Sequence, residues 1–239
     1  MRAFLYAAAL QWRLDIRSKT LLITCYVVPL LFFAFMGSVF TAVNPEMQHT
    51  LIPSMSVMGV SMGALIGLPP SIVETYAGDI KKMYTANGVP LCFGLAAMCL
   101  SAFAHLTVMC VSLYLAAPLL FGAARPASAP AYFGALAVFI AVSLSVGCVL
   151  GLVNRNQAKS TMFSQIVFLP SILLSGILFP RELLPGVFTA AGRLFPASWG
   201  YALMLDGGLR PENLLALCVI LLLSMGMSAA LLRCRTRSG

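Results

Sequence analysis

Charged side chains are scarce in this chain. Only 9% of its 239 residues are Asp, Glu, Lys or Arg, against about a quarter in soluble globular proteins. This deficit excludes a soluble globular protein, and hydrophobic residues make up 60% of the sequence. Runs of about 20 apolar residues are long enough to cross a bilayer as helices. The sequence therefore predicts an all-α membrane protein with one transmembrane domain over residues 1–239.

Signatures of catalysis, nucleotide binding and metal binding are also missing. The sequence contains neither the HExxH zinc motif nor a Gly-x4-Gly-Lys-Ser/Thr phosphate loop. Its seven cysteines form no CxxC pair, and all but Cys234 lie in apolar runs, where they behave as small hydrophobic residues. We therefore expect no enzyme, no metal site and no cofactor bound by this chain. The chain has no P-loop of its own with which to bind and hydrolyse ATP.

The apolar runs contain no Asp or Glu, which argues against transport coupled to ions through buried carboxylates. His105 is the one ionisable residue well inside a run. A histidine at that depth is a functional candidate. Without an obvious carboxylate partner, however, we favour a hydrogen-bonded packing residue.

Six runs define the predicted transmembrane spans: residues 20–43, 51–73, 91–120, 131–153, 161–179 and 213–232. Most of the 15 Lys and Arg residues fall on one side, in the N-terminal segment, residues 74–90, residues 154–160 and the C-terminal tail. The positive-inside rule then places both termini in the cytoplasm, in a multi-pass protein of the plasma membrane. This orientation accounts for the net charge of +8, so no nucleic-acid partner is expected.

Residues 2–19 precede the first span and predict an interfacial helix. A modest apolar stripe that includes Leu5, Trp12 and Ile16 runs beside Arg13 and Arg17. Such a helix lies in the headgroup region, and an indole ring suits that layer. A plain cytoplasmic segment is the alternative.

Residues 74–90 form a polar island between the second and third spans. Asp79 is a candidate N-cap, and Asn87-Gly88 is a typical helix stop. A helix of two turns is unstable alone, so its apolar face fits a partner's groove. A solvated loop is the alternative. The face comprises Ile80, Met83 and Tyr84, while Lys81 and Lys82 point elsewhere.

Small and polar residues recur at helical spacing inside the spans. Gly59, Gly63 and Gly67, and also Gly147 and Gly151, allow another helix to approach closely. Two further stripes are candidates for a transport path or a dimer interface, with ordinary helix packing as the alternative. They are Met55, Met58 and Met62 on the second span, and Ser160, Ser164, Ser171 and Ser175 on the fifth.

Two segments resemble the type-two (type V fold) ATP-binding cassette exporter permeases. The first match comprises Glu74, Gly78, Lys81, Lys82 and Pro90, which follow that family's cytoplasmic coupling-helix outline. The second follows its Ser-Gly-x-x-x-Pro, Pro and Asn-Pro-x-x-Tyr-Ala-Leu pattern, although Phe195 replaces the Asn. It comprises Ser175, Gly176, Pro180, Pro185, Pro196, Trp199 and Tyr201, with the intervening residues.

The resemblance implies a transmembrane permease subunit with six spans and an ATPase-coupling helix at residues 79–86. It also implies re-entrant outer helices between spans five and six. Such permeases lie in membrane lipid and work as dimers, with a second copy or a paralogue. They are driven by separate ATPase subunits in the cytosol. We expect export of a hydrophobic or amphiphilic substrate such as a drug, peptide antibiotic or lipid-like molecule. The alternatives are a lipid-linked polysaccharide exporter, an ion-coupled carrier, or a membrane protein without transport activity.

Overall fold

The computed structural model describes residues 2–43, 48–78, 84, 86, 88, 90–178, 184–205 and 210–237. Within these residues, every element of regular secondary structure is a helix, which confirms the all-α prediction. In chain order the helices are α1 (Arg2–Arg17), α2 (Lys19–Leu22, the π-helical turn Ile23–Val27, and Val28–Val43), α3 (Leu51–Met62, the π-helical turn Gly63–Gly67, and Leu68–Ala77), α4 (Leu91–Phe121), α5 (Ala129–Val153), α6 (Gln157–Leu173), α7 (Gly186–Gly192), α8 (Pro196–Leu205) and α9 (Pro211–Arg237).

Four of these helices are long and apolar enough to cross a membrane: Leu51–Ala77, Leu91–Phe121, Ala129–Val153 and Pro211–Arg235. The predicted first span contains the shorter apolar segment Ile23–Val39, and α6 has 17 residues. At 1.5 Å per residue, such a helix is about 26 Å long, against a hydrocarbon core of about 30 Å. The chain is a multi-pass membrane protein, and the six-span arrangement stays a prediction.

The fifth predicted span ends earlier than expected. The Asn156 side chain accepts hydrogen bonds from the backbone N–H groups of Ala158 and Lys159, the second and third residues of α6, and so caps the start of that helix. Pro170 lacks the N–H that would continue the hydrogen-bond ladder, and the helix ends at Leu173. Ser175 therefore lies in the following turn, where its hydroxyl donates to the Ile172 carbonyl at 2.7 Å. Its predicted place on the helical stripe was wrong.

Helix α3 is the centre of the bundle. It packs against α2, α4, α5, α6 and α8, and 83% of its most apolar stretch is buried. Helix α9 lies at the periphery, where only 17% of the corresponding stretch is buried. The second predicted span therefore forms the core of the protomer, while the sixth presents most of its surface outward.

The glycines of α5 allow its backbone to touch α3. A Cβ atom at Gly147 would collide with the Ala64 carbonyl oxygen, and one at Gly151 would lie 2.7 Å from the Cβ of Ile72. Because backbone cannot move aside as a flexible side chain can, only glycine fits at Gly147 without a shift of a helix. The predicted close approach at Gly147 and Gly151 is confirmed.

The glycines of α3 face α2 and α4. A Cβ atom at Gly59 would lie 2.5 Å from the Met109 methyl, and one at Gly67 would lie 3.6 Å from the Cys25 sulfur. Gly63 lies between Cys25 and Leu106. This predicted close packing is also confirmed, because the three glycines bring α3 against both neighbours.

Both long helices at this contact contain a π-helical turn just before a proline. Ile23–Val27 precedes Pro29, and Gly63–Gly67 precedes Pro69 at the same spacing. Proline cannot donate to the carbonyl four residues back, and a widened turn accommodates the interrupted ladder. A proline pair inside a helix, here Pro69-Pro70, is expected to kink or loosen it. The structure shows instead a π-helical turn within an otherwise continuous helix.

Candidate functional site

Helix α1 is held against α4 by a buried carboxylate. Asp15 is only 7% exposed. Its carboxylate accepts a hydrogen bond from the Gln11 side-chain amide at 2.8 Å and another from the Ser101 hydroxyl at 2.5 Å. Bonds to a charged acceptor are stronger than neutral ones, and more so where water is excluded. Asp15 therefore fixes the N-terminal helix to the third predicted span.

An aromatic stack lies one turn further along the same contact. The Trp12 indole lies parallel to the His105 imidazole, with ring centroids 3.9 Å apart and planes 6° apart. The Tyr26 hydroxyl lies 2.8 Å from His105 Nδ1 and donates to the His105 carbonyl at 3.2 Å. His105 is thus hydrogen-bonded through Nδ1 and packed inside the protomer, and whether it has a further role stays a prediction. Together with Asp15 and Ser101, these side chains join α1, α2 and α4 in one polar cluster.

The outer face of α1 is mainly apolar. Tyr6, Leu10, Leu14 and Ile16 are exposed by 46 to 73%. A helix that buries a carboxylate and exposes large apolar side chains suits a lipid interface rather than water. Trp12 departs from the prediction because its ring turns inward onto His105 instead of outward to the headgroups. Arg13 and Arg17 are exposed, and the side chain of Leu5 lies outside the described residues.

The polar island is anchored at its base. The Tyr76 hydroxyl, at the end of α3, donates to the Leu91 carbonyl at 2.6 Å and so ties the start of α4 to α3. The ring of Tyr84 is half-buried and packs against Gly94 of α4. A Cβ atom added at Gly94 would lie only 3.1 Å from that ring. Tyr84 thus contacts this chain's own α4. Whether it also contacts a partner stays a prediction.

The remaining coupling residues lie at or beyond the edge of the described structure. Glu74 is exposed in the last turns of α3, which continues through it to Ala77, so Glu74 does not begin a new helix. Gly78 ends α3, and Gly88 has the left-handed φ of +65° typical of a helix stop. Five predicted residues lie outside the described part: Asp79, Ile80, Lys81, Lys82 and Met83.

The two polar and thioether stripes face the protomer interior. Ser160, Ser164 and Ser171 on α6 are fully buried, and α6 packs on α3. Met55 and Met58 are buried in the core, while Met62 is half-buried. In this arrangement both stripes contribute to helix packing. Their role as a path or dimer interface, together with that of Ser175, stays a prediction.

Ser61 stands in a sequence that matches the GxSxG pattern of serine hydrolases, residues 59–63. In those enzymes the serine lies on a sharp turn between a strand and a helix. Here all five residues lie within the continuous helix α3, and Ser61 is buried. The stretch is therefore a helix-packing surface and not a nucleophile elbow.

Two short helices lie between α6 and α9. Pro185 precedes α7, which has seven residues, and Pro196 begins α8, which has ten. Both are too short to cross a bilayer. The Trp199 indole donates to the Arg193 carbonyl at 2.7 Å, joining the two helices. The re-entrant placement of these helices stays a prediction, and Pro180 lies outside the described residues.

Helix α8 is inserted into the bundle. Gly200 lies directly against the Phe139 ring of α5, and Tyr201 accepts a hydrogen bond from the Ser54 hydroxyl of α3 at 3.4 Å. Gly176, which has a φ of +89°, lies in the buried turn after α6. Gly200 and Tyr201 therefore hold α8 in the core.

At the other side of the bundle, Arg235 of α9 caps the end of α5. Its guanidinium donates to the carbonyls of Leu152 and Asn154, each at 2.6 Å. These carbonyls lie at the helix C-terminus, where a cation is favourable. The sequence had indicated only a basic tail, whereas the structure gives one of its arginines a defined partner.

The sequence profile described as "ABC-2 type transporter" matches residues 2–209. The chain belongs to the ABC-2 type transporter family. It is also 26% identical, over 158 residues, to the "Probable multidrug ABC transporter permease YbhS" of Escherichia coli strain K12, and equally to that of strain O157:H7. The match covers 64% of this chain and 41% of each relative, so it spans less than half of their length.

Membership of this family agrees with the multi-pass helical bundle described above. The polar cluster of Asp15 and His105 was not predicted from the sequence, although one sign of it was present in α1. Gln11, Asp15 and Trp12 share a side of α1 at helical spacing, and that side was passed over in favour of the apolar stripe.

Proposed function

We propose that this ABC permease exports a hydrophobic or amphiphilic substrate and that the first half of α4 receives the force from the ATPase. Three contacts of this part of α4 support the proposal. The Leu91 carbonyl accepts a hydrogen bond from the Tyr76 hydroxyl, Gly94 contacts the Tyr84 ring, and the His105 ring stacks on Trp12. The polar island and the N-terminal helix are therefore both attached to the same stretch of α4.

The proposed cycle needs two permease copies and separate ATPase subunits that carry ATP and Mg²⁺. Closure of the ATPases pushes residues 79–86. Helix α4 then moves together with the polar island, to which Tyr84 attaches it, and with α1, to which Asp15 and Trp12 attach it. The positive-inside pattern supports cytoplasmic termini in a plasma membrane. A drug, peptide antibiotic or lipid-like substrate is favoured by the apolar composition and by the similarity to the E. coli proteins named as probable multidrug permeases.

Reconstitution with the cognate ATPase tests this proposal. Met83→Asp places a charge on the predicted docking face, and His49→Asp places the same charge on the opposite predicted side of the membrane. We expect Met83→Asp to abolish co-purification of the ATPase and its stimulation by the permease, while His49→Asp keeps both. Equal assembly and stimulation in the two variants would overturn the docking proposal.

Direction and substrate are tested in inside-out vesicles. We expect ATP-dependent accumulation of a lipophilic fluorescent substrate in the lumen, which requires the intact pair of permease and ATPase. Accumulation driven by a proton or sodium gradient without ATP would instead support the ion-coupled carrier.

A further inference from the structure

Two cysteines from different helices meet between α4 and α5. Cys99 of α4 and Cys148 of α5 are 49 positions apart in sequence, yet their sulfur atoms lie 3.2 Å from each other. Both are free thiols. A disulfide bond is about 2.05 Å long, so the two sulfurs must approach by roughly 1.2 Å to form one. Because the sulfurs already face each other, small rotations of the two side chains can close this gap.

The pair is accessible from one side. Both cysteines line a groove of about 630 Å³ that opens sideways between α4, α5 and α9. Cys99 is half-buried there, whereas Cys148 is only 3% exposed. A small neutral oxidant that enters the groove therefore meets the Cys99 sulfur first. Cys148 lies behind it, in the position of a resolving cysteine.

A neighbouring thiol distinguishes these two cysteines from an isolated one. A single thiol buried among apolar side chains is an inert, small hydrophobic residue. An oxidised Cys99, in contrast, has a second thiol beside it with which to condense. Cys92 lies two turns earlier on α4, lines the same groove and is exposed. It is therefore the matched control thiol.

A bond between Cys99 and Cys148 would tie α4 to the core of the bundle. Gly147, next to Cys148, holds the α5 backbone against that of α3. Gly94, in the first part of α4, contacts the Tyr84 ring of the polar island. The bond would thus join the stretch of α4 that is proposed to receive the ATPase force to a helix that is fixed on α3.

We propose that Cys99 and Cys148 form a hydroperoxide-sensitive switch, whose disulfide stops the transport cycle by locking α4 to α5. This inference rests on the proposed export function, since it regulates the motion of α4 that drives export.

The oxidation takes place in two steps. The Cys99 sulfur attacks the outer oxygen of a hydroperoxide and becomes a sulfenic acid. The O–O bond breaks and takes up the two electrons, and the rest of the peroxide leaves as an alcohol, or as water from hydrogen peroxide, with the Cys99 proton. The Cys148 sulfur then attacks the Cys99 sulfur, the S–O bond breaks, and the hydroxyl leaves as water with the Cys148 proton. A dithiol reductant reverses the reaction by thiol–disulfide exchange.

Exposure of the purified permease in nanodiscs to cumene hydroperoxide tests the pair. The remaining thiols are alkylated, and the digested protein is analysed by mass spectrometry. We expect a peptide linked through Cys99 and Cys148, with Cys92 alkylated, and we expect dithiothreitol to restore both thiols. Alkylation of Cys99 and Cys148 in the exposed wild-type permease would overturn the proposal.

The route of the oxidant is tested with hydrogen peroxide at the same concentration. Cumene hydroperoxide concentrates in the bilayer, whereas hydrogen peroxide stays mainly in water. We expect faster disulfide formation with cumene hydroperoxide, because the apolar groove opens sideways. The reverse order would overturn access through the groove.

The effect on transport is measured with the permease–ATPase complex in inside-out vesicles. We expect cumene hydroperoxide to abolish ATP-dependent accumulation of the fluorescent substrate by wild type and by Cys92→Ala, and dithiothreitol to restore it. Cys99→Ala and Cys148→Ala should continue to accumulate substrate after exposure, which also shows that the ATPase is undamaged. Either of these two variants suffices once gel filtration shows a single folded species. Equal arrest of wild type and Cys99→Ala would overturn the switch.

The two measurements separate this inference from the export proposal. If the reduced wild-type complex accumulates no substrate with ATP, the export proposal fails, and a linked Cys99–Cys148 peptide then stands as a reactive dithiol only. If the disulfide forms and the oxidised wild type still accumulates substrate, the switch fails and the export proposal stands.

Discussion

Trp12 and His105 lie face to face, with ring centroids 3.9 Å apart and planes 6° apart. They belong to helices separated by most of the chain that precedes α4, and Tyr26 completes the contact from the π-helical turn of α2. An indole that the sequence assigned to the lipid headgroups is thus part of the joint between α1 and the third predicted span. Its contribution can be measured directly.

Trp12→Ala should lower the free energy of unfolding by about 2 kcal/mol, because the half-buried ring loses both its packing and its stacking partner. Tyr6→Ala is the matched control, since Tyr6 lies on the same helix and is 73% exposed. Denaturant titration in detergent measures both. An equal effect of the two substitutions would show that the stack does not hold α1.

Asp15 and Ser101 should prove energetically coupled. We expect Asp15→Ala to cost about 2 kcal/mol, the usual range for a hydrogen bond to a charged group, and Asp15→Asn to cost less. In a double-mutant cycle with Ser101→Ala, the two effects should fall short of additivity by about 1 kcal/mol. Additive effects would contradict the contact. Glu212→Gln, an exposed carboxylate at the start of α9, serves as the control.

Gly147 and Gly134 lie on the same helix in opposite environments. A Cβ atom at Gly147 would collide with the backbone of α3, whereas nothing lies within 4 Å of one at Gly134. Gly147→Ala should therefore destabilise the protein by about 2 kcal/mol or more. Gly134→Ala should be neutral or slightly stabilising, because alanine favours the helix. Thermal unfolding of the two variants compares them, and the reverse order would refute the backbone contact.

Arg235 should stabilise the end of α5. Arg235→Ala removes two charge-assisted hydrogen bonds to helix carbonyls and should cost about 2 kcal/mol. Arg235→Lys should recover part of this, since an ammonium group still satisfies one carbonyl. Lys159→Ala removes an exposed cation near the same end and should change stability little. Hydrogen exchange at the last turn of α5 reports the local effect. Unchanged protection in Arg235→Ala would argue against the cap.

Some contacts could be predicted from spacing alone. Glycines at intervals of four indicated close helix packing, and Gly59, Gly63, Gly147 and Gly151 all lie against a neighbouring helix. Glycine carries this signal because it has no side chain to keep backbones apart. The same reasoning could not name the neighbour. Both α2 and α4 meet the glycines of α3, and no local pattern distinguishes them from α5.

The contacts of other residues could not be predicted from the sequence. Asp15 did not stand out in the sequence, because its partner, Ser101, is distant along the chain. Tyr84 was assigned to a docking face for another protein, whereas its ring also packs on Gly94. In both cases helical periodicity showed which residues share a face but not what that face meets.

By itself, the sequence determined that this chain is an all-helical, multi-pass membrane protein of the ABC-2 type. Twenty-residue apolar runs admit few other structures, because backbone groups in a bilayer must bond within their own segment. Only the tertiary structure decided that α3 is the core, that Asp15 and His105 join α1 to α4, and that α4 and α9 enclose a groove. Lipid-facing and interior side chains are equally apolar in such a protein, so the pattern that separates inside from outside in water carries little information here.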